Sequence, residues 1–218
     1  MGAVVFSAHL DDAVFSCYGV LAPDTTVVTV LAGVPPAGVV GDWDVEGGTS
    51  DSATRVLERR EEDRQALARS GSRVVHLDFV DSQYCGQPGV ETPTVEGIAA
   101  GLRDLVAAAE AVHAPAGIFN LDHKLVRDAV LAVRPDATLY ADIPYALHPD
   151  MGGFELPPEL AAAGRERREV RLDAALVAEK IASARCYTTQ LDQLTASYGP
   201  YLDEAGVGRE VFWDPVGS

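Results

Sequence analysis

Short β-branched runs alternate along this chain with longer stretches of helical period, and that alternation restricts it to a mainly parallel sheet flanked by helices. Residues 3–7 predict a first strand, and residues 12–21 a helix with Val14, Phe15, Tyr18 and Leu21 on one face. A buried strand follows over 25–31, then a Gly-, Pro- and Asp-rich loop over 33–51 that is long enough to act as a lid. Residues 52–69 predict a charged amphipathic helix closed by Gly71, and 73–80 a return to the sheet. The spacing then predicts a helix over 94–112, a short strand over 116–119, a helix over 123–133 and a strand over 138–143. These make about five βα units. Beyond Pro144 a loop containing Pro149, Gly152, Gly153, Pro157 and Pro158 intervenes, and regular patterning resumes over 165–172 and 173–184. The tail over 199–218 is turn-rich, with a last strand expected over 210–213.

With 218 residues and 47% hydrophobic content, one domain spanning 1–218 is expected. A formal charge of -16 argues against nucleic acid and anionic membrane as partners. The Arg-rich stretches 55–64 and 165–171 are interleaved with acids, the pattern of a solvated, ion-paired face. Cys17, Cys85 and Cys186 are odd in number and widely spaced, so neither a disulfide framework nor a thiolate zinc site is indicated. The apolar run over 3–6 is too short for a signal peptide or a spanning helix, so a cytoplasmic location is expected. The glycine fingerprints of dinucleotide and nucleotide triphosphate sites are absent, as is the nucleophile elbow of serine hydrolases.

Two short segments carry chemistry. His9-Leu10-Asp11-Asp12 falls where the first strand gives way to a helix, and ligand sites in open α/β sheets lie beyond the carboxyl ends of strands. An imidazole and a carboxylate three residues apart on such a turn can converge on one divalent cation, zinc or a similar ion. Asp11 would then stay free beside the metal to take a proton from bound water. The same residues also suit a purely structural role, with Asp12 as helix cap and Asp11 complementing the helix dipole. Asn120-Leu121-Asp122-His123 repeats the arrangement at a later strand end. There His123 would supply a third ligand and Asp122 would orient a ligand imidazole, or Asn120 and Asp122 would merely cap a helix. Of the remaining histidines, His148 follows a strand end in a loop and could lean toward the site, His76 reads as a core or edge residue, and His113 as a solvated residue past a helix.

Residues 4–19 and 120–130 resemble the two signature motifs of the PIG-L/LmbE-like de-N-acetylases. Further similarity lies at Arg59, Glu62, Ala66 and Gly71, over 140–145, and over 180–190 with Ala184, Tyr187 and Gln190. The resemblance implies a Rossmann-like three-layer fold and a zinc-dependent hydrolase that removes acetyl groups from N-acylated amino sugars or related small metabolites. It further implies His9, Asp12 and His123 as metal ligands, Asp11 as general base and Arg59 as a substrate-facing residue. An oligomer is compatible with it. The chain departs from the family's first motif at Ala8, Leu10 and Ala13, none of them a ligand. It departs more consequentially at Asn120, where the family has histidine. An asparagine can donate a hydrogen bond to an oxyanion but cannot act as an acid. A second reading therefore stands beside the deacetylase: a relative that serves as a binding module or runs another reaction, such as hydration of a small acid.

Overall fold

A computed structural model describes residues 2–161 and 164–216. The chain begins with β1 (Ala3–Ser7), α1 (Asp12–Cys17), β2 (Thr26–Thr29), α2 (Asp42–Glu46), α3 (Ser52–Ala68) and β3 (Arg73–His76). It continues through α4 (Val95–Ala107), β4 (Ala111–Pro115), α5 (Leu121–Val133), β5 (Thr138–Tyr140) and α6 (Pro158–Ala161). It ends in β6 (Arg165–Arg171), α7 (Ala174–Ala184), α8 (Leu191–Tyr198), α9 (Glu204–Val207) and β7 (Arg209–Pro215). The strands form one seven-stranded sheet in the order β3-β2-β1-β4-β5-β7-β6, with helices on both faces. The first five in that order are parallel, and β7 runs antiparallel to both β5 and β6. This is the three-layer α/β arrangement expected from the sequence.

The central strand explains the site's position. In β1, Val4, Val5 and Phe6 are fully buried, because a parallel strand covered on both faces has no polar side to present. β1 pairs with β2 on one side and β4 on the other. The chain therefore leaves β1 and β4 in opposite directions, opening a crevice beyond their carboxyl ends. Both motif segments begin there: His9 to Asp12 lead into α1, and Asn120 to His123 into α5.

Several boundaries differ from expectation. The helix expected over 94–112 ends at Ala107, and β4 occupies Ala111–Pro115 in place of the strand expected over 116–119. An unbroken Ala-rich run offers no glycine stop, so helix propensity carries the reading too far. Burial decides otherwise, since Val112 pairs beside Val4 in the sheet. His113 consequently lies inside β4, buried against Phe212, and is not a solvated residue past a helix. α1 ends early and continues as a single 3-10 turn, Tyr18–Val20. The long loop over 33–51 contains α2. Residues 165–171 form the edge strand β6, and its exposed Arg167 and Arg168 give that edge the charge that deters pairing with another chain. The ends of the loop 144–163 and of the tail 199–218 fall at residues 162–163 and 217–218, outside the described residues.

Candidate metal centre and active site

A cavity of about 220 Å³ opens at the crevice, lined by His9, Asp11, Asp12, Arg59, Asn120 and Tyr145 among others. His123 lies behind it, fully buried. Its Nδ1 is 2.8 Å from Asp142 Oδ1, which follows β5. His9 is held in the same manner from the opposite side, with Nε2 3.2 Å from Asp122 Oδ2 and 3.6 Å from Asp81 Oδ2. Asp122 is itself fixed by the Ser82 hydroxyl at 2.9 Å. These networks assign the tautomers: each outer nitrogen donates to a carboxylate, leaving the inner nitrogens as lone pairs.

The inner nitrogens, His9 Nδ1 and His123 Nε2, are 3.3 Å apart. Asp12 completes the triangle, its Oδ1 3.3 Å from His123 Nε2 and its Oδ2 3.8 Å from His9 Nδ1. Two lone pairs and a carboxylate converging on one point repel unless a proton or a cation lies between them. Mixed imidazole and carboxylate donors suit zinc or a similar divalent ion, so the donor set fits the metal that the resemblance implies. The protonation preferences agree. Burial pulls the His9 imidazole down, but the hydrogen bond to Asp122 and the charges of Asp81 and Asp12 outweigh it and raise it to about 10. For His123 burial again opposes, and Asp12 with Asp142 prevails upward.

Asp11 stands next to this triangle with 7% of its surface exposed. Burial first, and the Asp12 charge second, push its carboxyl up to about 8, against His9, His123 and Arg59. Asp11 occupies the cap position of α1, yet its side chain makes no capping hydrogen bond. Asp12 is the first helical residue and accepts the His9 backbone N–H at 2.7 Å. Asn120 behaves otherwise. Its Oδ1 accepts the Asp122 backbone N–H at 2.8 Å, capping α5, and its Nδ2 donates to the Tyr145 hydroxyl at 3.0 Å.

Arg59 reaches the cavity from α3. It is 5% exposed, and its Nη1 pairs with Asp44 Oδ1 at 2.9 Å, while Tyr84 donates to Asp44 Oδ2 at 2.7 Å. Nε and Nη2 of Arg59 have no hydrogen-bond partner among the described residues. His148 does not line the cavity; it bonds the Tyr198 carbonyl at 2.6 Å. His76 pairs with Asp63 in the core.

Asp142, Asp81, Asp44, Tyr84 and Tyr145 were not singled out from the sequence. Asp142 had a signal, a lone carboxylate between apolar Ala141 and Ile143 at a strand end. α3 carried another: Val56, Arg59, Asp63 and Ala66 share one helical stripe, so charges lay on the face that the apolar residues bury.

Searches find no matching protein-family model and no matching curated protein. Solved structures do match. A triple mutant of a deacetylase involved in the teicoplanin biosynthetic pathway has a TM-score of 0.80 at 26% identity, covering 100% of this chain and 99% of that one. The A40926 pseudoaglycone deacetylase gives 0.75 at 27% identity, covering 97% and 96%. The zinc-inhibited form of teicoplanin deacetylase gives 0.79 at 24% identity, covering 100% of both. From end to end, the chain is thus similar to the PIG-L/LmbE-like de-N-acetylases, the family that its two turns resemble in sequence.

Proposed function

We propose that this chain is a metal-dependent amidohydrolase that removes an acyl group, acetyl in the first instance, from an N-acylated amino sugar or a related small metabolite. The observation that carries this reading is the triangle of His9, Asp12 and His123, its His9 and Asp12 lining the cavity together with Asp11. The deacetylase activity named for the similar structures supports it, and the imidazole and carboxylate donors of the triangle support a divalent ion here.

His9, Asp12 and His123 would hold the ion, with Asp122 and Asp142 fixing the two imidazoles. Once bound, such an ion polarises an acyl carbonyl and makes water more acidic. The protein's own groups do the rest. Asp11, whose ionised form a bound cation would favour, takes one proton as water oxygen bonds to the acyl carbon. The C–N bond then breaks, and the departing amine nitrogen must gain a proton; protonated Asp11 is positioned to return the one it took. Asn120 cannot supply that proton. Arg59, held by Asp44 and lining the same cavity, places a positive charge beside the site.

The test is elemental analysis of protein purified without added metal, joined to acetate release from a panel of N-acetylated amino sugars. About one divalent ion per chain and acetate release are expected. Acetate release undiminished in Asp11→Asn would overturn the mechanism, and the absence of both ion and turnover would overturn the function.

A further inference from the structure

Asn120 raises a question that the triangle does not answer: which group steadies the acyl oxygen on the second side of the cavity. The local geometry is unusually determined. Asn120 Oδ1 is committed to the Asp122 backbone N–H, so the amide cannot flip, and Nδ2 must face Tyr145. Tyr145 therefore accepts from Asn120 at its hydroxyl and donates its own O–H to the Tyr198 phenol, a neutral bond that an oxygen entering the cavity beside it would replace. Its ring is fixed on three sides. It meets His123 edge-on at 5.4 Å between centroids, Tyr198 edge-on at 5.2 Å and Phe119 at 5.6 Å. A phenol so clamped, sharing a cavity wall with Asp11 and Asp12, costs no reorganisation when charge develops beside it.

We propose that Tyr145 is a catalytic residue of this site: oriented by Asn120, its hydroxyl donates a hydrogen bond to the substrate's acyl oxygen, and the Asn120–Tyr145 pair stands in for one imidazole. This rests on the amidohydrolase reading and adds the donor that reading lacks. The pair moves no proton; it stabilises charge, and the proton for the leaving amine still comes from Asp11.

Two variants and two readouts test it. Tyr145→Phe keeps all three ring contacts and removes only the O–H. Asn120→Asp keeps a capping oxygen for α5 but turns the donor facing Tyr145 into an acceptor, which captures the phenol's hydrogen. Each is expected to lower kcat by about 10² to 10³ with KM changed by less than about threefold. In an Asn120→His background, Tyr145→Phe should cost less than about tenfold, since the imidazole then supplies the donor. Calorimetric binding of acetate, the expected product, to metal-loaded protein gives a readout that needs no turnover, and each variant should weaken it about tenfold. If acetate binding and turnover both survive in Tyr145→Phe and Asn120→Asp, the pair is a structural cap and the proposal falls. Wild-type protein that hydrolyses no N-acetyl sugar yet loses acetate affinity in both variants would overturn the amidohydrolase reading while supporting the pair.

Discussion

The turns after β1 and β4 have the same position in the fold and opposite ways of using their polar residues. At the first, Asp11 holds the cap position of α1 without capping it, so the helix gives up a bond and the carboxylate stays free in the cavity. At the second, Asn120 spends one amide atom on capping α5 and the other on Tyr145. The first turn holds reactivity in reserve; the second commits both polar atoms of its amide to the protein and acts through a neighbour. The difference teaches that a polar residue at a strand-to-helix turn is read by what its side chain leaves unbonded.

The largest effect should come from the free carboxylate. Asp11→Asn is expected to reduce acetate release by about 10² to 10⁴ while leaving bound metal unchanged by elemental analysis. Full loss of metal in that variant would make Asp11 a ligand and erase the contrast between the turns.

A second effect guards the comparison against acid unfolding. Burial, with Arg168 adding to it, lowers the His113 imidazole to about 4. A histidine depressed in the folded state favours folding above its unfolded value of about 6.5, and that stability drains away as pH falls from there to about 4. The loss is on the order of 3 kcal/mol. Urea melts across that range should slope less in His113→Leu than in wild type. Equal slopes would show that the acid limb of any activity profile comes from elsewhere than β4.

Next in size is the support behind His123. Removing Asp142 leaves a buried imidazole free to turn, and Asp142→Ala is expected to weaken metal affinity about 10- to 100-fold in competition with a chelator. Unaltered affinity would mean that packing alone orients the ring.

The smallest effect is the most direct test of the contrast. Asn120→Ala should cost about 1 kcal/mol of stability through the lost cap. Asp11→Ala should cost nothing of that kind, because no side-chain cap exists there. Similar losses in both would remove the distinction.

The sequence made the sheet and the triangle legible because both rest on local signals: β-branched runs, and polar clusters placed where strands end. β4 was misplaced because its Ala-rich approach looks the same in a helix as in a turn, and only packing beside β1 separates them. Asp81 escaped notice, and Asp142 was read only as part of the similar segment 140–145, for a different reason. Their roles exist through contacts to His123 and His9 that span long stretches of chain, and no local pattern marks a carboxylate as the partner of a distant imidazole. Tyr145 belongs with them. The hydroxyl bond to Asn120 depends on how the loop after β5 folds back over α5.

The loop over 33–51 carries one more consequence. Asp44, buried within its short helix, is bonded at once to Arg59 below and Tyr84 beside it. A segment anchored at its middle has surrendered its conformational freedom during folding, and an arriving ligand meets a wall already set. Under the proposed function, discrimination among substrates would then rest on fit to that wall.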